Sequence, residues 1–137
     1  MKKLSILIPV YNEDETIFKV LKIVDELNLV DDIQKEIIVI NDCSTDQSKA
    51  EIERFLSLDL KGLKLLNHEF NQGKGAAIHS GIKEASGDYI IIQDADLELN
   101  PYEINDLLNL VKENKADVVY GSRFLGKNKN GGTLFML

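Results

Sequence analysis

The 137-residue chain has no tryptophan, two prolines and a single cysteine, Cys43. One thiol cannot form an internal disulfide, so nothing requires an oxidising compartment. No apolar run approaches the roughly 20 residues of a membrane-spanning helix. The run Leu4 to Val10 is short, contains Pro9 and is followed by no small-residue cleavage site, so it is predicted to be a strand and not a signal peptide. These absences together predict a cytoplasmic protein.

Positive charge is also scarce, because 16 lysines and arginines face 23 aspartates and glutamates for a net charge of −7. A nucleic-acid-binding module needs a basic face that displaces counterions from phosphates, so that class is excluded. Electrostatic adsorption to an anionic membrane is disfavoured for the same reason. Apolar residues make up 44% of the chain, which at this length predicts one globular domain.

Short apolar runs alternate with amphipathic helical patterns along the chain. Strands are predicted at 4–10, 36–40, 63–66, 88–93 and 116–120. Capping signals start the intervening helices at three places: Asn12 with Glu15, Ser44 with Gln47, and Asn100-Pro101 with Glu103. A glycine suited to a helix C′ position, Gly87, follows the third helix. The β-α order predicts an α/β fold, a mostly parallel sheet with helices on both faces.

Ligands of parallel α/β sheets bind beyond the carboxyl ends of the strands. The segments that follow the predicted strands should therefore meet at one edge. They are Tyr11-Asn12-Glu13, Asn41-Asp42-Cys43-Ser44, Asn67-His68, Asp94-Ala95-Asp96 and Gly121-Ser122-Arg123. Several carboxylates and one arginine are thereby predicted to face each other.

Asp94-Ala95-Asp96 is the sharpest local signal. Carboxylates two residues apart in extended backbone point to the same side and repel each other unless a cation lies between them. A hard divalent ion such as Mg²⁺ or Mn²⁺, held by these carboxylates and substrate phosphates, would satisfy the pair, and Glu98 could be a third ligand. A solvated acidic turn is the structural alternative.

Three other segments have both a functional and a structural interpretation. Asp42 is placed to accept hydrogen bonds from a base or ribose. Lys74, at the start of the helix that follows Asn71-Gln72-Gly73, could favour an anion, whereas its flanking glycines could simply permit close packing. His68 and His79 lack metal-ligand spacing and are predicted to pack or to lie on the surface.

Together these segments resemble family 2 glycosyltransferases, in particular the polyprenyl (dolichyl) phosphate mannosyl- and glucosyltransferases. Five motifs carry the resemblance, in the family's order and over nearly the whole chain. They are Ile8 to Glu13, Ile40 to Asp46, Asn71 to Gly75 with Ala77 and Gly81, Gln93 to Glu98 before Pro101, and Gly121 to Phe124. Two departures stand out: Asn41 replaces a usual aspartate, and Cys43 replaces a usual glycine, which would cost strain if φ is positive there.

The resemblance implies a GT-A (Rossmann-like) fold and a set of site residues. Asp94, Asp96 and Arg123 would be catalytic, and Asp94, Asp96 and Glu98 would bind Mg²⁺ or Mn²⁺. The nucleotide sugar would be bound by the following residues: Pro9, Tyr11, Glu13, Ile40, Asp42, Lys74, Asp94, Ala95 and Asp96.

The implied reaction moves a sugar, with inversion, from a nucleoside diphosphate sugar to an acceptor. GDP- and UDP-sugars both stay open as donors, and oligomeric state is open as well. No convincing general base follows Asp96, which fits a polyprenyl phosphate acceptor because phosphate is already anionic at pH 7, or a missing segment. Membrane contact would come only through that acceptor or a missing C-terminal region, at the cytoplasmic face.

Family members are longer, so the chain is predicted to be truncated. Residues 1–121 would form the nucleotide-sugar-binding domain, and 122–137 would begin a flexible or incomplete acceptor-side segment. Three alternatives remain. A receiver-like signalling domain would need an acidic pair after the first strand, and a sugar-phosphate nucleotidyltransferase would need a basic glycine-rich loop there. A non-catalytic nucleotide-binding remnant would keep the fold without turnover.

Overall fold

The computed structural model describes residues 2–58, 63–97, 100–112, 119–120 and 133–136. In these ranges one parallel sheet is built from β1 (Lys3–Val10), β2 (Gln34–Asn41), β3 (Leu63–Asn67), β4 (Tyr89–Ile92), β5 (Val119–Tyr120) and β6 (Thr133–Met136). The strand order is β3-β2-β1-β4-β6-β5, and every neighbouring pair is parallel. The predicted α/β fold with a parallel sheet is confirmed.

In the described ranges four α-helices cover the two faces of the sheet, as the alternating pattern predicts. They are α1 (Ile17–Glu26), α2 (Ser48–Leu56), α3 (Lys74–Glu84) and α4 (Ile104–Lys112). None of the helices in the described ranges is long and apolar enough to cross a bilayer. Side chains alternate along β1, so Leu4, Ile6 and Ile8 pack with α1, α2 and α4, whereas Leu7 packs under α3.

Helix α3 lies unusually close to the sheet. A Cβ placed on Gly81 would come 2.9 Å from Cδ1 of Ile40 and 3.1 Å from Cδ1 of Leu7. Glycine at this position therefore permits the close helix–sheet approach, which brings the first turn of α3 over the carboxyl ends of β1 and β2. Gly87 is not the predicted C′ glycine, because α3 ends at Glu84 with Ala85 as its C-cap. Glycine is needed there for another reason, since a Cβ on Gly87 would lie 2.8 Å from the Ser5 backbone nitrogen.

The C-terminal residues of the described chain enter the same sheet. β6 pairs with β4 on one side and with β5 on the other. The apolar run from Thr133 is thus a strand of the domain, and the sequence pattern did not predict its position inside the sheet. Residues 121–132 lie outside the described residues, and the domain boundary at residue 121 stays a prediction.

A buried glutamate ties the amino-terminal edge of the sheet. Glu36 is 5% exposed, and its carboxylate accepts hydrogen bonds from the Ser5 hydroxyl (2.7 Å) and from the Ser86 amide (3.0 Å) and hydroxyl (2.9 Å). The Lys64 ammonium lies 3.5 Å away. Burial alone would raise the pKa of Glu36, but these hydrogen bonds and Lys64 lower it below its ordinary value.

We predict that Glu36→Gln destabilises the domain by about 2–3 kcal/mol at pH 7, because an amide nitrogen would face donor groups in a buried site. Because folding lowers the pKa of Glu36, its carboxylate stabilises the fold at pH values above the unfolded pKa near 4.5. This contribution is lost as the pH falls from the unfolded pKa through the lower pKa of the folded state. Urea unfolding at pH 7 and at lower pH measures both effects. Glu53→Gln on exposed α2 is the control, and equal losses for the two variants would contradict the prediction.

Candidate functional site

A cleft of about 290 Å³ opens at the carboxyl edge of the sheet, where the first three strands and β4 end. Its walls are Pro9, Val10, Tyr11, Glu13, Asp42, Lys74, Ala77, Asp94, Ala95 and Asp96. The structure thus brings together eight of the residues that the sequence predicts to bind a nucleotide sugar. Val10 and Ala77 were not predicted, although both are small or apolar residues of segments that were.

The turn after β4 carries Asp94 and Asp96, and a hydrogen bond from a residue before α1 holds it in place. The Thr16 hydroxyl, just before α1, donates to the Ala95 carbonyl at 2.5 Å. Leu97 follows in the left-handed region, with φ 64°. A non-glycine residue pays of order 1 kcal/mol or more for that conformation, so the surrounding packing imposes it. Both carboxylates consequently line one cleft, as predicted.

Negative charge is concentrated in this cleft. Burial raises the pKa of the Glu13 carboxyl, and the nearby charges of Asp96, Asp46 and Asp94 raise it further, against the lowering effect of a hydrogen bond with Thr16. Among the described residues that line the cleft, Lys74 is the one cation, and its Nζ lies 2.5 Å from Oδ1 of Asp94. The cleft therefore favours a ligand that brings positive charge.

Asp42 has a structural role that the sequence did not indicate, and its predicted part in nucleotide binding stays a prediction. The residue is 2% exposed, and its carboxylate accepts four hydrogen bonds from the loop before α3. Oδ1 accepts from His68 Nδ1 (2.7 Å) and the Gln72 amide (2.9 Å), and Oδ2 accepts from Asn71 Nδ2 (2.9 Å) and the Gly73 amide (2.8 Å). A carboxylate has about four acceptor positions. These bonds fill them, so Asp42 holds the loop that ends at Lys74.

The bonds at Asp42 also set its charge. Burial would raise the pKa of this carboxyl, but the hydrogen bonds from His68, Gln72 and Gly73 and the proximity of His68 lower it below its ordinary value. Asp42 therefore stays ionised beneath the cleft at neutral pH.

His68 supports the cleft from behind, through contacts that the sequence did not indicate. Its ring bridges Asp42 and α3, because Nε2 lies 2.9 Å from the Ser80 hydroxyl. The predicted packing role is correct but incomplete. The strand register could have revealed the contact: Asn41 pairs with Asn67, which places the next residues, Asp42 and His68, side by side.

Two residues that were predicted to cap helices, Asn12 and Ser44, instead join the loops after β1 and β2 to each other. Asn12 was predicted to cap α1, but that helix begins at Ile17, and the Asn12 Oδ1 accepts from the Thr45 amide at 2.8 Å. The Ser44 hydroxyl accepts from the Asn12 amide at 3.1 Å, and α2 begins at Ser48. By contrast, Asn100 caps the 3₁₀ turn Pro101–Glu103 that leads into α4, as predicted.

Cys43 lies in the left-handed region, with φ 58°. The positive φ explains why glycine suits this turn and shows that cysteine is strained there. The thiol points toward the Glu69 carbonyl, at 3.6 Å, and has no role in the cleft lining.

One predicted site residue among those that the structure describes, Ile40, is not in the cleft lining. The Ile40 side chain is fully buried with Leu7 and Ala77 beneath α3, so it supports the cleft without facing it. Glu98 and Arg123 lie outside the described residues.

The donor groups present fit a hard divalent cation. Asp94 and Asp96 supply carboxylate oxygens, the ligands that Mg²⁺ and Mn²⁺ prefer, and both face a cleft with room for phosphates. In the ranges that the structure describes, no group of three or more histidine, cysteine or acidic residues forms a complete metal site. Mg²⁺ is often held by only one or two protein carboxylates together with substrate phosphates.

Fold and cleft together define a GT-A domain, a Rossmann-like parallel sheet with an acidic ligand site at its carboxyl edge. The model of "Glycosyl transferase family 2" matches residues 5–134. The chain belongs to that family.

Two curated relatives are, by name, sugar transferases of dolichol phosphate. A dolichol-phosphate mannosyltransferase of Pyrococcus furiosus is 33% identical over 130 residues, which are 93% of this chain and 36% of the relative. A dolichyl-phosphate beta-glucosyltransferase of Trichomonas vaginalis is 31% identical over 135 residues, 92% of this chain and 41% of the relative. The chain therefore spans well under half the length of these two proteins.

Solved structures confirm the fold. A mannosyltransferase from Pyrobaculum calidifontis, in complex with GDP-Man and Mn²⁺, superposes with a TM-score of 0.73 at 24% identity over 89% of this chain and 36% of that one. S. aureus TarS 1-349 gives 0.69 at 24% identity, over 91% of this chain and 38% of that one.

We predict that Asp42→Asn lowers the free energy of unfolding by about 2–4 kcal/mol, because the amide group would turn two of the four hydrogen bonds into donor–donor contacts in a buried site. Urea unfolding at pH 7 measures the loss. Asp32→Asn is the control, since Asp32 is exposed and asparagine tolerates its φ of 55°. A loss no larger than that of the control would show that Asp42 does not hold the loop.

Proposed function

We propose that the chain carries the donor site of a metal-dependent, inverting glycosyltransferase that moves a sugar from a nucleoside diphosphate sugar to a polyprenyl phosphate. One observation carries the proposal: Glu13, Asp94 and Asp96 converge with Lys74 on one cleft of a family 2 domain. Such a cleft suits a diphosphate only together with a divalent cation, because bare phosphates would meet three carboxylates.

In this proposal Asp94 and Asp96 hold Mg²⁺ or Mn²⁺ with the donor phosphates, and Glu98 is the proposed third ligand. The bound ion would neutralise the charge that develops on the leaving diphosphate. Support comes from two structural neighbours that contain Mn²⁺ in their complexes. Rigid placement of the aspartates by the Thr16–Ala95 hydrogen bond would keep this site preorganised.

The nucleoside would lie along the ends of β1 and β2. Pro9 and Val10 form an apolar wall, and Tyr11, which is 45% exposed, offers a ring at the rim. Ala77 leaves room beside the first turn of α3. Ile40 and Asp42 would act indirectly, Ile40 by packing beneath α3 and Asp42 by fixing the loop that positions Lys74.

The acceptor would approach from the opposite side of the sugar, because one displacement inverts the anomeric centre. An acceptor phosphate is already an anion at pH 7 and needs no general base. Arg123 is the proposed partner of a phosphate group. The names of the dolichol-phosphate relatives support a lipid phosphate acceptor, which would place the reaction at a membrane surface. The cytoplasmic face stays a prediction.

We predict that GDP or UDP binds measurably in the presence of Mn²⁺ and at least about tenfold more weakly without it, since a charge-assisted contact is worth about 1.5–3 kcal/mol. Asp94→Asn and Asp96→Asn should remove the Mn²⁺ dependence. Isothermal titration calorimetry checks both statements, with Asp32→Asn as the matched control.

Binding that is indifferent to Mn²⁺ and to both substitutions would contradict the assigned site. Metal-dependent binding without turnover on any GDP- or UDP-sugar with a polyprenyl phosphate would instead support the alternative, a non-catalytic nucleotide-binding remnant.

A further inference from the structure

The Asp94 carboxylate already has a cationic partner inside the protein. Lys74 Nζ lies 2.5 Å from Oδ1 of Asp94. The lysine side chain is 52% exposed and the aspartate side chain 23% exposed, so the pair lies at the open side of the cleft. Lys74 is the first residue of α3, and its backbone is fixed because the preceding Gly73 amide donates to Asp42.

This ion pair conflicts with the ligand role proposed for Asp94. An ammonium group and a divalent cation that shared Oδ1 would repel each other at close range. A cation that takes this oxygen must therefore displace Lys74. The displacement is feasible, because a half-exposed ion pair contributes at most about 1 kcal/mol and the lysine stem is flexible.

A displaced Lys74 has another partner within the same cleft. The side chain is anchored at the N-terminal end of α3, where the backbone favours anions, and it lines the same walls as Asp94, Ala95 and Asp96. The diphosphate of a bound nucleotide would lie between these residues. An ammonium that leaves a carboxylate can therefore form a new ion pair with a phosphate oxygen.

We propose that Lys74 is an exchangeable counter-ion, paired with Asp94 in the empty site and with the donor diphosphate once a divalent cation occupies Asp94. The proposal rests on the proposed function of the cleft. It predicts that cation and nucleotide help each other to bind: the cation releases Lys74, and the nucleotide gives Lys74 a new partner. Such coupling is reciprocal by thermodynamic linkage.

Lys74→Met tests the exchange, because one substitution should move two affinities in opposite directions. Without nucleotide, Mn²⁺ should bind about three- to fivefold more tightly, the factor that corresponds to an exposed ion pair. The nucleotide tested is whichever of GDP and UDP the unsubstituted protein binds more tightly. With saturating Mn²⁺, this nucleotide should bind to the Lys74→Met variant at least about fivefold more weakly, because a charged phosphate contact is lost. Electron paramagnetic resonance of free Mn²⁺ and calorimetry give the two constants.

Two control variants distinguish the effect of losing the ion pair from the effect of changing the net charge. Lys83→Met removes the same charge from an exposed position near the end of α3 and should leave both affinities within about twofold of the unsubstituted protein. Lys74→Arg keeps the charge and should leave Mn²⁺ affinity close to that of the unsubstituted protein.

The outcomes distinguish the two proposals. If the unsubstituted protein binds Mn²⁺ and nucleotide but Lys74→Met leaves Mn²⁺ affinity unchanged or weaker, the exchange is wrong and the donor site stands. Equal tightening in Lys83→Met also overturns the exchange, since net charge would then explain it. If the unsubstituted protein binds neither Mn²⁺ nor nucleotide, the proposed function fails and the exchange fails with it.

Discussion

Parallel strand pairing gathers negative charge at one edge of this sheet, and the rest of the site depends on how that charge is compensated. Asp42, Asp94 and Glu13 follow different strands and converge only because those strands run in one direction. Internal donors compensate Asp42 fully, through four hydrogen bonds. Lys74 compensates Asp94 at the open side of the cleft, and Glu13 keeps a raised pKa. The first arrangement stabilises the fold, and the second leaves the carboxylates of the cleft to the divalent cation that we propose.

The two edges of the sheet differ in how far the charge of their carboxylates is compensated by the fold. At the amino edge, buried Glu36 is satisfied by serine donors and Lys64, and the pKa of its carboxyl is lowered. At the carboxyl edge, burial and neighbouring carboxylates raise the pKa of Glu13. Donors around Glu36 thus stabilise its charge, whereas burial and like charges around Glu13 disfavour the ionised form. A bound cation would relieve that repulsion, in line with the proposed binding of a cation with phosphates.

Much of this could be predicted from sequence, because periodic apolar runs determine strands and helices locally. The parallel sheet, its two-sided helix cover and the convergence of Glu13, Asp94 and Asp96 follow from that pattern. Side-chain partners that depend on register do not: Asn12 and Ser44 look like helix caps, yet they join two loops. Asp42 was predicted to accept hydrogen bonds from a nucleotide, but its four donors within the fold, on His68, Asn71, Gln72 and Gly73, were not predicted. The place of β6 between β4 and β5 is likewise set by long-range pairing.

The central claim is that Asp94 and Asp96 together hold a divalent cation that bridges to a nucleotide diphosphate. Anomalous diffraction from crystals grown with Mn²⁺ and GDP or UDP tests it most directly. We predict an anomalous peak about 2–2.3 Å from carboxylate oxygens of both Asp94 and Asp96 and from diphosphate oxygens, with Lys74 Nζ moved from Asp94 to a phosphate. A bound nucleotide with no peak in the cleft, or with its diphosphate away from both aspartates, would contradict the account.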